Sequence, residues 1–181
     1  MRKKPRILNR ETVARSRLFH IEALDLEFSN GATARYERLR GSSRRTVLIV
    51  PLLDADTVLL VREYAAGTER YELGLPKGRV EPDEPLLEAA NRELMEEAGY
   101  GARRLEQITS LTLAPGFLGH STCIILARDL YPQRLPGDEP EVPEVVPWRM
   151  DRIGQLWRDG ECSEARTIAS LFIAREHMDC G

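Results

Sequence analysis

Apolar and polar residues alternate along short blocks of this chain, and the period of the alternation changes where a helix is expected. In residues 18–40, Phe19, Ile21 and Ala23 alternate with polar neighbours, then the phase slips and Leu24, Leu26 and Phe28 carry the pattern. Period-two alternation predicts a strand, and a slip within it predicts a bulge or bend. Asn30-Gly31 predicts a hairpin turn, with RYERLR at residues 35–40 as the return strand. Two continuous apolar runs, residues 46–52 and 57–61, read as buried strands joined by a turn at Asp54-Ala55-Asp56. Residues 71–75 form a short candidate strand closed by Pro76.

Across residues 84–98 the period becomes helical. Leu87, Ala90, Leu94 and Ala98 form an apolar stripe, Pro85 suits a first turn, and Gly99 stands where a C-terminal cap is expected. Strands are expected at 104–113 and 121–127, a Pro- and acid-rich loop at 135–147, and closing helices at 151–158 and 164–177. Trp148 and Trp157 are expected as core anchors, and His20 and His177 as surface or packing residues. Strands and helices mixed in this order predict an α/β sandwich around a mixed sheet. At 181 residues the chain suffices for one well-filled domain plus an extension.

Charge and cysteine usage narrow the partners. A formal net charge of −3 gives no electrostatic basis for binding nucleic acid or an anionic membrane. The longest apolar runs, such as 47–53, fall far short of the roughly 20 residues needed to span a bilayer. The basic start, MRKKPRILNRETVARS, has no apolar core of a signal peptide. Cys123, Cys162 and Cys180 are an odd number without a Cys-x-x-Cys pair, which fits reduced thiols. The expectation is a soluble cytoplasmic protein.

Within the predicted helix, RELMEEAG concentrates Glu93, Glu96 and Glu97. Side chains three and four apart share a helix face, so these carboxylates repel one another. A solvated acidic face would explain most such runs. The preceding loop, GLPKGRVEPDEP, changes that reading: Gly74 and Gly78 permit close approaches, Glu84 is delivered to the helix start, and a main-chain carbonyl can be aimed at the same space. Clustered carboxylates and a carbonyl make a hard oxygen site suited to Mg²⁺ or Mn²⁺, with positions left for water and substrate phosphates.

Residues 78–100, GRVEPDEPLLEAANRELMEEAGY, resemble the box of the Nudix hydrolases: G, five residues, E, seven residues, R-E-U-x-E-E-x-G-U, with U bulky and apolar. Gly78, Glu84, Arg92, Glu93, Glu96, Glu97 and Gly99 fall on the fixed letters and Leu94 on the first U; Tyr100 is a mild departure at the last. Seven letters coincide by chance about once in 10⁸ to 10⁹ windows. The resemblance implies a Nudix fold, an α/β/α sandwich around a mixed β-sheet, in which water attacks a nucleoside diphosphate derivative with Mg²⁺ or Mn²⁺. It implies Glu93 and Glu97 as principal metal ligands and catalytic residues, with Glu96 close behind and the Lys77 carbonyl completing the site. Arg92 and Glu84 would orient the carboxylates.

Beyond the box the chain resembles the ADP-ribose pyrophosphatase branch. Pro115 lies fifteen residues past Tyr100, where that branch carries a proline, and no tyrosine follows as in the diadenosine-polyphosphate branch. The tail LAPGFLGHSTCIILARDLYPQRLPGDEPEVPEVVPW, followed by EARTIASLFIARE, is similar to hydrolases of ADP compounds, which act on ADP-ribose, diadenosine triphosphate and NADH. In related enzymes a late acidic loop supplies the general base and a further metal contact. Here it is GDEPE, with Glu139 and Glu141 as candidates. Many relatives carry a glutamate shortly after the proline, where this chain has His120, so the base is expected at Glu139. Arg62 and Tyr64, at a strand end, are candidate phosphate and adenine contacts.

The resemblance also implies a division into residues 1–44, an antiparallel β extension forming a homodimer surface beside the adenine pocket, and residues 45–181, the hydrolase domain. The expected partner is a small ADP-linked molecule, with no nucleic acid and no membrane. A pyrophosphohydrolase of nucleoside triphosphates or other sugar nucleotides shares the box, but Pro115 argues against it. An inactive ADP-ribose- or NAD-binding module would ordinarily have lost a box carboxylate, and none is missing.

Overall fold

The computed structural model describes residues 3–41, 45–137 and 140–179. It divides into two compact units, Met1–Ser43 with Thr112–Ser121, and Arg44–Leu111 with Thr122–Gly181.

The first unit is built on a three-stranded antiparallel sheet of β1 (Arg6–Arg15), β2 (His20–Glu27) and β3 (Thr33–Leu39), in that order. The Asn30-Gly31 turn forms as expected. Gly31 takes a φ of +83°, Ala32 N–H donates to Asn30 Oδ1 at 3.1 Å, and Gly31 N–H donates to the Phe28 carbonyl at 2.9 Å. The phase slip near residues 23 and 24 has a different origin from a bulge in that strand. β2 pairs β3 without interruption from Ile21↔Leu39 to Glu27↔Thr33. The register instead shifts twice in β1, at Ile7/Asn9 and at Thr12/Ala14. β2 is the central strand, and Ala23 and Leu24 are both buried although consecutive.

The second unit contains β4 (Thr46–Pro51), β5 (Thr57–Ala65), β6 (Arg70–Gly74), β7 (Lys77–Arg79), α1 (Leu86–Glu97), β8 (Tyr100–Thr112), β9 (Ser121–Pro132), β10 (Glu144–Arg149), a 3-10 turn (Met150–Arg152), α2 (Ile153–Arg158) and α3 (Ala165–Asp179). The strands form two sheets, β7-β4-β9-β8 and β10-β5-β6. The first is mixed, since β4 runs antiparallel to β7 and parallel to β9.

The continuous apolar runs are continuous because both faces of the strands are buried. Val47, Ile49, Cys123, Ile125 and Ala127 pack with Ala89, Ala90 and Leu94 of α1. The alternate residues Leu48, Val50, Ile124 and Leu126 pack with Ile153, Leu156, Leu171 and Ala174 of α2 and α3. Each fully buried Leu or Ile removes enough apolar surface to contribute about 1.5–3 kcal/mol. The expected α/β class, a helix layer on each side of a mixed sheet, is therefore what the sequence builds, together with the antiparallel N-terminal strands.

Several local expectations are corrected. β1 was not visible in the sequence pattern, because nine of its ten residues are exposed and only pairing with β2 makes it a strand. The helix stripe starts at Leu86 rather than Leu87: Leu86 packs on the core and Leu87 is 38% exposed. Pro85 is the N-cap residue of α1, while Gly99, with φ +75°, follows the helix as anticipated. Residues 135–147 are not loop throughout, because β10 begins at Glu144 and pairs with β5. Pro147 is tolerated there because β10 is an edge strand. Trp148 does pack on the core, but Trp157 is 50% exposed with Arg158 stacked on its ring. His177 pairs with Glu106 and His20 with Thr12. Cys123 and Cys162 are free thiols, and Cys180 lies outside the described residues. Among the described residues no helix is long and apolar enough to cross a membrane.

Glu72 ties β6 to the start of α3. It accepts from the Ser163 N–H and hydroxyl, each at 2.9 Å, and pairs with Arg70. Burial pushes its carboxyl up, but the Ser163 amide and Arg70 outweigh it and hold the pKa at about 2, against an ordinary 4.5. A depressed pKa means that the contribution is present above pH 4.5 and is lost as pH falls towards 2. Urea unfolding should accordingly show Glu72→Gln less stable than wild type at neutral pH, with the gap closing across that acid range. A gap independent of pH would contradict the assignment.

Candidate active site

β6, β7 and the loop that follows lead into α1 in the second unit. β6 ends at Gly74, and Thr167 of α3 accepts the next amide, Leu75 N–H, at 3.3 Å. β7 follows directly, and its first amide, Lys77 N–H, donates to Glu97 Oε2 at 3.0 Å. The loop after β7 turns through Asp83, in the left-handed region at φ +62°, which aspartate tolerates. That turn lets Glu84 Oε2 accept the Glu81 N–H at 2.9 Å.

α1 then carries the carboxylates in the order their spacing dictates. Glu93 is 8% exposed and Glu97 3% exposed, which is unusual for ionised side chains without compensation. Arg92 supplies much of it. Its Nη1 donates to Glu93 Oε1 and Glu96 Oε2, both at 2.9 Å. Its Nε and Nη2 grip Glu84 in a two-pronged pair at 2.9 and 3.0 Å, and Nη2 also donates to the Arg79 carbonyl at 2.9 Å. The Arg92 guanidinium holds the Glu84 carboxyl below its ordinary range, and Glu84 first, then Glu93, raise the guanidinium further. The second cation is Lys77. Burial would lower its ammonium, but Glu63, which it meets in an ion pair, and Glu97 outweigh that and raise it.

Gly78 sits against this cluster. A Cβ added there would overlap the Glu93 carboxylate, so glycine is required by a close approach and not by a turn. The Glu93 carboxylate thus lies between the β7 backbone on one side and Arg92 on the other.

Among the described residues, these bonds gather five carboxylates (Glu63, Glu84, Glu93, Glu96, Glu97) and two cations (Arg92, Lys77). Glu93 and Glu97 are the buried members of the group. Clustered hard oxygen donors suit a divalent cation such as Mg²⁺. The fit is in kind: among the described residues no three such side chains are arranged as a ready cage, and Arg92 Nη1 bridges Glu93 and Glu96.

Beside the cluster lies a cleft of about 650 Å³, into which Lys77 and Glu97 project from one side. β5 and β6 supply Arg62, Glu63, Tyr64 and Tyr71, and the segment before β10 supplies Glu141 and Val142. Tyr64 and Tyr71 are register partners on the two strands, with rings 5.4 Å apart in an edge-on arrangement. Tyr71 donates its hydroxyl to Glu141 Oε2 at 2.7 Å. Arg62 bonds Glu144 and Glu161, each at 2.9 Å.

The second unit therefore brings together Glu84, Arg92, Glu93, Glu96 and Glu97 under Gly78, and sets Lys77, Arg62, Tyr64 and Glu141 around the adjoining cleft. Pro115 belongs to the first unit, in the connection between β8 and β9. Glu139 lies outside the described residues. Sequence reasoning missed Tyr71 and the carboxylates Glu144 and Glu161. Tyr71 stands in a short strand directly opposite Tyr64, and cross-strand pairing was the signal available.

Comparison with known proteins places this geometry. A model of the NUDIX domain matches residues 42–169, and one of the NudE-type Nudix hydrolase N-terminal domain matches residues 5–38. The chain is 51% identical over 175 residues to the ADP compounds hydrolase NudE of Escherichia coli (strain K12), covering 97% of this chain and 94% of that protein. It is 29% identical over 171 residues to the ADP-ribose pyrophosphatase of Bacillus subtilis (strain 168), covering 91% of each. A crystal structure of an ADP compounds hydrolase matches with a TM-score of 0.92 at 49% identity, over 99% of this chain and 96% of that one.

The close approach at Gly78 generates a direct test. Gly78→Ala should dislodge Glu93 from Arg92 and lower the melting temperature by about 2–8 °C. Adding Glu93→Ala, which removes the obstructing carboxylate, should recover part of that loss. A Gly78→Ala protein that melts like wild type would show that the contact is not tight.

Proposed function

The chain belongs to the Nudix hydrolase family, and on that premise we propose that it is a divalent-cation-dependent pyrophosphohydrolase of ADP-linked compounds. Water attacks the diphosphate of ADP-ribose, NADH or a diadenosine polyphosphate and AMP is released. From ADP-ribose the other product is ribose 5-phosphate. The observation that carries this reading is the carboxylate cluster itself: Glu84, Glu93 and Glu96 gathered on Arg92, with Glu97 reaching the cleft that two tyrosines line. The similarity to hydrolases of ADP compounds and ADP-ribose supports the substrate class.

Nudix hydrolases generally need divalent metal ions, and Mg²⁺ or Mn²⁺ is the cofactor proposed here. The residues that would hold it are Glu93, Glu96 and Glu97, with the Lys77 carbonyl. A cation bound there supplies positive charge against the diphosphate and acidifies water. Arg92 orients Glu93 and Glu96, and is itself fixed by Glu84 and the Arg79 carbonyl. Glu141 lines the cleft and is assigned to take the proton of the attacking water, while Glu139, the other acidic-loop candidate, lies outside the described residues. Tyr64 offers an exposed ring to the adenine. Arg62 has two of its nitrogens committed to Glu144 and Glu161 and retains Nη2 to donate to a phosphate.

Residues 1–44 serve, in this proposal, as an extension through which two copies of the chain pair in the cytoplasm. The exposed Leu8, Val13, Phe19 and Tyr36 of the first unit support that role.

Purified protein with Mg²⁺ should release AMP from ADP-ribose, NADH and diadenosine triphosphate, but leave GDP-mannose and nucleoside triphosphates intact. Chelation should abolish turnover, and Glu97→Gln should slow it by about 100-fold or more, equivalent to about 2.7 kcal/mol of barrier. Pyrophosphate from a triphosphate would overturn the substrate class. A Glu97→Gln enzyme above about a tenth of the wild-type rate would overturn the role of the cluster.

A further inference from the structure

Tyr71 Oη donates to Glu141 Oε2 at 2.7 Å across 70 residues of sequence. Both ends of this bond are set by structure around them. Tyr71 is placed by its backbone register with Tyr64, and its ring meets the Tyr64 ring at 65°. Glu141 lies in the segment 140–143, where Pro140 and Pro143 have no amide hydrogen to donate. Side chains also tie this part of the chain to β5 and β6, Glu141 through Tyr71 and Glu144 through Arg62, its register partner in β5, which is in turn held by Glu161.

We propose that Tyr71 is the positioning residue for Glu141: its hydroxyl fixes the carboxylate by Oε2 and leaves Oε1 to face the attacking water. The proposal rests on the reading of Glu141 as the water-activating group. In the step concerned, a water proton passes to Glu141 while the water oxygen bonds to phosphorus. The bond from phosphorus to the bridging oxygen breaks, and its electron pair leaves with the departing phosphate. An unfixed carboxylate would sample several rotamers, and only some of them present an oxygen to that water.

A plain aromatic platform for the adenine base would need the Tyr71 ring but not its hydroxyl, and that difference is measurable. Steady-state hydrolysis of ADP-ribose with Mg²⁺ is compared for wild type, Tyr71→Phe, Glu141→Gln and the double variant, with thermal melts of each. Glu97→Gln serves as the control on the carboxylate cluster. Tyr71→Phe keeps the ring and the contact with Tyr64. It should melt like wild type and lose about 10-fold in kcat, with KM unchanged within about twofold. Glu141→Gln should lose about 100-fold or more. The double variant should be no slower than Glu141→Gln alone, because the hydroxyl acts only through that carboxylate.

A Tyr71→Phe enzyme with wild-type kcat beside a slow Glu141→Gln enzyme would overturn the positioning role and leave the base in place. Multiplying losses in the double variant would overturn it too. Wild-type kcat in Glu141→Gln would remove that residue from the chemistry and the proposal with it. An inactive Glu97→Gln enzyme in the same experiment would show that the hydrolase reading stands apart from that failure.

Discussion

One guanidinium holds this site together. Glu84, Glu93 and Glu96 repel one another wherever they are brought close, and Glu93 is almost withdrawn from water. Arg92 bonds all three and the Arg79 carbonyl besides. A buried ion pair contributes little net stability, because desolvation offsets the attraction, but removing one partner leaves a buried charge that costs several kcal/mol. The fold therefore depends on Arg92 less for stability than for arrangement. With it, like charges occupy fixed places; without it they would swing apart into solvent.

The scaffold serves the same end. Alternate residues of β4 and β9 bury towards α1 and towards α2 and α3, which fixes the height and rotation of α1 over the sheet. β7, paired to β4, brings its backbone so near to α1 that Gly78 has no room for a side chain beside Glu93. Lys77, one residue earlier, fastens Glu97 by its amide and Glu63 by its ammonium. Rigid packing on two sides thus presents mutually repelling groups at the edge of a cleft. This is a way of storing charge complementary to a cation and a diphosphate before either arrives.

The cluster was legible in the sequence because a helix converts spacing into geometry: positions 92, 93, 96 and 97 can meet on adjacent turns and nowhere else. The burial of β4 and β5 was legible too, since strands covered on both faces read as unbroken apolar runs. What escaped was set by contacts distant in the chain. β1 is exposed along nearly its whole length, with no clean alternation to mark a buried face, and exists through its pairing with β2. β10 was hidden inside a Pro- and acid-rich stretch because an edge strand tolerates Pro147. Gly78 was visible as a fixed letter of the box, but its reason, the Glu93 carboxylate pressed against it, appears only in three dimensions. The Tyr71–Glu141 bond joins two segments that no local pattern connects.

The most direct test of the central claim is the Mg²⁺ dependence of AMP release from ADP-ribose by Arg92→Lys. Lysine keeps the charge but cannot reproduce a planar fork that bonds three carboxylates at once. If Arg92 arranges the carboxylates, the variant should stay folded yet need about 10- to 100-fold more Mg²⁺ to reach half-maximal rate. An Arg92→Lys enzyme with the wild-type Mg²⁺ requirement and rate would show that charge alone suffices and that the guanidinium does not organise the site.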